Sequence, residues 1–231
     1  MFAIISTPHT FNTVLSGFMS EQDHTESAGA PATKRRRAPK GEMRRAALLD
    51  AATLVFAKEG YGAASMRDVA ELAGITTVGL LHHFPNKVSL LRALIDRRDQ
   101  RVTEQFATLE IAPTLDSFLA FVRTSMGFSV QSLPECQAAM MINVESLSEQ
   151  HPAWPWYMEK FALTHAHAQA HLTTLVKHGQ VRADIDVKAL ATEIFAVMDG
   201  LQIQWLRAPE QVDVGATFDA YLQRLADAIR A

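Results

Sequence analysis

Few side chains in this 231-residue chain are placed to act on anything outside it, and they fall into three groups. The first is a row of hydroxyls, imidazoles and one ammonium in S-M-R-D-V-A-E-L-A-G-I-T-T-V-G-L-L-H-H-F-P-N-K, from Ser65 to Lys87. The second is the run K-R-R-R-A-P-K, Lys34 to Lys40. It could lie along phosphates or reach into a minor groove and add salt-sensitive affinity, or simply be a solvated tail. The third is a set of four histidines, His165, His167, His171 and His178, of which the last three share a helical face. That spacing could hold a transition metal, but no acid or thiol stands beside it, so polar surface or a pocket rim is the expectation and no metal is assigned. Catalysis finds no foothold: there is no G-x-S-x-G, no phosphate-cradling glycine loop and no H-E-x-x-H, and Cys136 lacks an activating neighbour. No catalytic residue and no cofactor follow from the sequence.

The first group needs elements to hold it. Ser65 with Asp68 three residues on is a capping box, which opens a short helix with Val69, Ala70, Leu72 and Ala73 as its apolar face. Gly74 suits the left-handed conformation that ends a helix, and Ile75 plugs the turn. Thr76 or Thr77 then caps a second helix, which Pro85 stops. Helix, glycine turn, helix is the helix-turn-helix arrangement, whose second helix enters a DNA major groove. Just before it, Leu48, Ala51, Ala52, Val55 and Phe56 recur at helical spacing over 42–58, with Gly60 and Gly62 ending that helix around Tyr61. Its apolar stripe is the buttress a recognition helix requires.

Charge agrees with this placement. Residues 1–33 carry three acids and no Lys or Arg, residues 34–101 carry 14 basic against 7 acidic residues, and residues 102–231 carry 8 against 15. A basic N-terminal third on an acidic body fits a protein that sets one end on nucleic acid. The single cysteine excludes an internal disulfide framework and suits a reducing cytoplasm. No apolar run is long enough for a membrane helix, and the opening Met1–Phe18 lacks the charged start of a secretory signal.

Three regions are expected: 1–40, a disordered arm with a basic end; 41–86, the helix-turn-helix DNA-binding unit; and 87–231, a domain for small-molecule binding and dimerisation. The fold class is all-α. A connecting helix is expected from Asn86 to Leu109, with Val88, Leu91, Leu94, Ile95, Val102 and Phe106 inward. Five body helices are expected: Thr114–Ser132; Pro134–Ser148 with Ala138, Met141, Ile142, Val144 and Leu147; Trp156–His178 with Met158, Phe161, Leu172, Leu175 and Val176; Val187–Leu206; and Val212–Arg230. The last two are apolar on more than one face, including Leu190, Ile194, Phe195, Val197, Met198, Leu201, Ile203 and Trp205, then Phe218, Tyr221, Leu222, Leu225 and Ile229. A second copy supplies the missing partner, giving a homodimer through a four-helix interface. Phe121, Met140, Asn143, Met158 and Phe161 mix flexible or aromatic groups with one amide and are the expected lining of a small-molecule site.

The run G-Y-G-A-A-S-M-R-D-V-A-E-L-A-G-I-T, followed by H-H-F-P-N-K and two leucines, resembles the N-terminal domain of TetR-family transcriptional regulators, closely so over 42–95. The resemblance implies an all-helical homodimer that binds operator DNA and releases it when a small organic molecule fills the larger domain. It also implies DNA contacts from Ser65 and Arg67, from Thr76, Thr77, Val78, Gly79, Leu81, His82 and His83, and, as a phosphate ligand, from Lys87. Thr77 can bond base edges, while Val78 and Leu81 offer only apolar contact, such as with a thymine methyl. Leu80 and Phe84 point into the core. The family's commonest pattern has tyrosine where this chain has Leu81, so that phenol is absent, and the His82–His83 pair partly replaces it as donors or as phosphate partners. The expected function is a transcriptional repressor released by an effector. The alternatives are an activator, a regulator without an effector, or a helical protein-interaction module.

Overall fold

The computed structural model describes residues 40–107 and 111–231. The run Lys34–Arg37 and the end of the connecting helix at Leu109 lie outside them. Among the described residues the chain is helical throughout: α1 (Lys40–Ala63), α2 (Met66–Leu72), α3 (Thr77–His83), α4 (Lys87–Phe106), α5 (Leu115–Ser129), α6 (Leu133–Glu145), α7 (Trp154–Lys177), α8 (Val187–Arg207) and α9 (Val214–Ile229). One isolated antiparallel bridge, Val181 with Arg230, ties the α7–α8 link to the end of α9.

The caps are local and follow from side-chain type. Thr114, Ser132, Asp186 and Asp213 each accept a backbone N–H of the helix they open. Asn86 and Ser89 form a second capping box at the start of α4. Lys40, assigned to the arm by the sequence, is already helical, so α1 starts earlier than expected. It breaks at Gly60, whose φ of 76° lies in the left-handed region.

Two cores organise the molecule. The first gathers Leu48, Phe56, Val69, Leu80, Phe84, Leu90 and Leu91 beneath α2 and α3, and continues into Ala138 and Ile142 of α6 and Tyr157 of α7. The DNA-binding unit is therefore built against the body rather than joined to it only by α4. The second lies inside the body, where Phe118, Met126, Leu172, Leu190, Phe195, Met198, Phe218 and Leu222 meet.

Several apolar residues assigned inward point out instead. Leu72 is 53 % exposed and Val88 49 %. Each is two residues from a buried one, Ala70 and Leu90, and two residues turn a helix by about 200°. On α6 the inward set is Cys136, Ala138, Ala139, Met140 and Ile142, so Met141, Val144 and the following Leu147 are exposed. Met158 and Phe161 on α7 are also about half exposed.

Candidate nucleic-acid interface

The geometry of α2 and α3 starts with hydrogen bonds that the sequence makes locally. Ser65 Oγ accepts the Asp68 N–H at 3.2 Å and Asp68 Oδ2 accepts the Ser65 N–H at 2.9 Å. The Ser65 hydroxyl also donates to Asp68 Oδ2, and this bond first, then the one from the Ser65 N–H, favours the charged carboxylate and holds the Asp68 carboxyl below its ordinary range. Gly74, at φ 66°, ends α2, with its N–H on Glu71 O and that of Ile75 on Ala70 O. Ile75 packs on the first core, beneath the head formed by α1, α2 and α3. Of the two threonines it is Thr76 that caps α3, its Oγ1 accepting the Gly79 N–H at 3.1 Å. A side chain at Gly79 would come within 3.3 Å of that hydroxyl, so glycine leaves the cap undisturbed.

Leu80 and Phe84, fully buried, seat α3 from beneath, and the Arg45 guanidinium stands 5.0 Å over the Phe84 ring. The opposite face is open. Val78 is 65 % exposed and Leu81 39 %, and they share a face with His82, which is also exposed. Thr77, Gly79 and His83 flank this face at intermediate exposure, and Ser65 and Arg67 of the neighbouring turn are exposed. A rigid short helix with one anchored face and one open face of hydroxyl, methyl and imidazole groups can be inserted into a groove without rearrangement.

Lys87 is placed differently. Its Nζ donates to three carbonyls, Tyr61 O at 2.7 Å, Ala64 O at 2.8 Å and Gly62 O at 3.2 Å, and stands 4.4 Å over the Tyr61 ring. All three ammonium hydrogens thus face the turn between α1 and α2. The Glu145 carboxylate accepts the N–H groups of the same turn, Tyr61 at 2.6 Å and Gly62 at 3.1 Å. A Cβ at Gly60 would lie 2.5 Å from Glu145 Oε1, so glycine there serves both the positive φ and the close approach of the carboxylate. His151 closes the cluster, its ring edge-on to Tyr61 at 4.8 Å. Burial, with Lys87 adding to it, holds His151 below the usual imidazole range against the pull of Glu145. No sequence motif marks Glu145; only the fold brings it to the turn.

A buried ion pair was likewise invisible in the sequence. Lys160 Nζ lies 3.0 Å from Asp99 Oδ1, both side chains almost wholly buried, linking α4 to α7. Burial pushes the carboxyl up and the ammonium down, and each charge restrains the other's shift. Nearby, Arg97 bonds Asp50 at 2.6 Å and Thr53 at 3.0 Å on α1, and Arg101 pairs with Glu135 on α6.

The expected effector lining is spread out. Met140 is buried, Asn143 is half-buried, Phe121 packs on Phe106 at 5.3 Å, and Met158 and Phe161 are open on α7. None of the five lines the cavity of about 30 Å³ between α1, α4, α6 and α7. The histidine row runs from the interior to the surface: His165 is buried, His167 and His171 are half-buried, and His178 is exposed. His165 lies between Phe161, 3.9 Å, and Phe195, 4.7 Å, and His171 stacks on Phe118 at 5.2 Å; of the four only His178 is fully exposed. On α8 and α9 most of the large apolar groups are consumed by the body's own core, leaving Val197, Leu201, Ile203, Trp205 and Tyr221 at intermediate exposure.

Known proteins match in the same regions. Residues 48–94 match the model of bacterial regulatory proteins of the tetR family, and residues 146–229 match that of the BetI-type transcriptional repressor C-terminal domain. The transcriptional regulator TtgR of Pseudomonas putida is 26 % identical over 207 residues, covering 85 % of this chain and 96 % of its own. The transcriptional repressor KstR2 of Rhodococcus jostii is 26 % identical over 204 residues, with 80 % and 91 % covered. Among solved structures, a transcriptional regulator from Saccharomonospora viridis in complex with choline superposes with a TM-score of 0.68 at 23 % identity, covering 83 % of this chain and all of that one. With its helix-turn-helix seated as described and both of its regions matched, the chain belongs to the TetR family of transcriptional regulators, which are DNA-binding proteins and not enzymes.

Proposed function

We propose that this regulator is a homodimeric repressor that reads its operator with the outer face of α3 and leaves it when a small organic molecule binds the body. The observation that carries the reading is the contrast on α3: Leu80 and Phe84 fully buried, Val78, Leu81 and His82 open. Thr77 and the histidine pair supply hydrogen bonds to base edges or phosphates, Val78 and Leu81 supply methyl contact, and Ser65 and Arg67 hold the backbone. Lys87 acts as a positioning residue that fixes the turn beneath α2, and its charge adds to the basic end. Two copies paired through α8 and α9 would present recognition helices about one turn, ~34 Å, apart. The cytoplasm, where the DNA is, is the compartment that fits. No described helix is long and apolar enough to cross a membrane.

Release is linkage between two arrangements of head and body. The body grips the head at Glu145 of α6 and through Arg97 of α4, and Arg101 ties α4 to α6, so an effector that prefers a shifted α4 or α6 moves α3 with them. Phe121, Met140 and Asn143 are the effector contacts with buried surface, and Met158 and Phe161 would meet a ligand at its rim. The test is binding of the purified protein to duplex from upstream of its own gene, against scrambled duplex at several salt concentrations. Salt-sensitive, sequence-preferring binding is expected, and equal binding to both duplexes would refute the reading.

A further inference from the structure

Three arginines on one stretch of α4 meet three different fates. Arg97 is tied to Asp50, Thr53 and the Ala46 carbonyl of α1. Arg101 is tied to Glu135 of α6 and stands over the Phe128 ring. Arg98, between them, takes part in none of the ion pairs among the described residues, yet it lines the junction cavity together with Arg97, Arg101, Glu135, Trp156 and Tyr157. Its charge reaches inward, acting on Asp99, Lys160, Tyr157 and Cys136. Asp99 is already held by Lys160. Asp99 and Asp199 both act on Tyr157 beside it, so Arg98 is the cation at this lining that no carboxylate of the described residues pairs directly.

We propose that this junction cavity is a binding site for the carboxylate of a small organic acid, with Arg98 as its counter-ion. A planar guanidinium with free donors matches a carboxylate in two parallel hydrogen bonds. The volume of about 30 Å³ suits such a head group, since one water needs roughly 10–15 Å³. Ala138, Ala139, Ile142 and Trp156 give an apolar wall that strips solvent from the pair. The remainder of the acid leaves past Arg101 and Glu135, whose side chains are each 41 % exposed. The occupant touches Thr53 of the head and Trp156 of the body at once. Its binding therefore biases the angle between them, a consequence that rests on the repressor reading above.

The test uses the full-length protein, with butyrate and benzoate as probes and butyramide and benzamide as their neutral counterparts, at constant ionic strength. Binding is followed by calorimetry and by the melting temperature, without DNA. Saturable binding of the acids but not the amides is expected. It should weaken at least about tenfold in Arg98→Met, recover in part in Arg98→Lys, and hold in Arg92→Met, a change on the exposed face of α4. Equal behaviour of acid and amide, or undiminished binding in Arg98→Met, would overturn the site and leave only a small hydrated void. If Arg98→Met does not melt cooperatively, the acid–amide comparison and Arg98→Lys decide. Operator affinity is then measured with and without acid. Acid binding without any change in operator affinity overturns the coupling, whereas absence of operator binding at any acid concentration overturns the repressor reading and leaves the site standing.

Discussion

Lys87 and Glu145 hold the same turn, one by its carbonyls and the other by its N–H groups. The lysine takes the carbonyls of Tyr61, Gly62 and Ala64, and the glutamate takes the N–H groups of Tyr61 and Gly62. Lys87 begins α4 and Glu145 ends α6, so this turn is where connecting helix, body and DNA-binding unit meet.

Glu145→Gln keeps the shape but removes the charge. Charge-assisted hydrogen bonds are about twice as strong as neutral ones. The variant is expected to lose about 1–2 kcal/mol of stability in urea unfolding and to show a weaker effector response in operator binding. Gly60→Ala should cost at least as much, because a Cβ there meets the glutamate and the residue stands at φ 76°. Unchanged stability in both would show that the contact carries nothing.

For Lys87→Ala the expected outcome is a lower melting temperature together with a fall in affinity that is uniform across sequences. Since all three hydrogens serve carbonyls, the salt dependence of binding should change little; a slope reduced by about one unit would make Lys87 a direct phosphate ligand. Lys87→Arg should not rescue, because three carbonyls converging on one nitrogen suit an ammonium and not a planar fork.

Breaking the buried pair from either side leaves an uncompensated charge. Asp99→Asn and Lys160→Met are each expected to cost about 3–5 kcal/mol in denaturant unfolding, and Asp99→Leu with Lys160→Met together much less than the sum. Additive losses would mean that the two side chains do not interact.

Acid should weaken the fold before it reaches the carboxylate range. His151, His167 and His171 are all held below the ordinary 6.5, first of all by burial. The unfolded chain then takes up protons that the folded one refuses, so stability is full above about pH 6.5 and falls as pH drops through that value towards the folded pKa values. Melting temperature should fall across pH 7 to 5, by about 2–4 °C for each kcal/mol lost, and less steeply in His171→Phe, which keeps a ring against Phe118. A flat profile would contradict the burial of these imidazoles.

What the sequence made legible was local. Ser65 with Asp68, Gly74 with Ile75, and Asn86 each act within five residues, so residue type and spacing were enough to place them. Leu80 and Phe84 were placed inward correctly because the motif fixes the helix's rotation. Thr76 and Thr77 are chemically alike, and only the turn geometry selects the first as cap. Leu72 and Val88 went wrong because hydrophobicity alone does not say on which side a short helix meets its neighbour. Glu145 reaches Tyr61 across 84 positions and Lys160 reaches Asp99 across 61, and no period in a single sequence encodes such pairings. In the histidine row, expected as polar surface or a pocket rim, only His165 departs by being buried; its spacing on α7 could not reveal the contacts of His165 with Phe195 and of His171 with Phe118.

The central claim is that the open face of α3 reads DNA, and Val78→Glu tests it most directly. Val78 is 65 % exposed, so the fold should be unaffected, while a carboxylate set into the groove meets phosphates and base edges. Fluorescence anisotropy with duplex from upstream of the protein's own gene should show tight, salt-sensitive binding by the wild type. The same measurement on Val78→Glu should show a loss of roughly a hundredfold or more at an unchanged melting temperature. Binding that survives Val78→Glu undiminished would contradict the assignment of α3 as the reading helix.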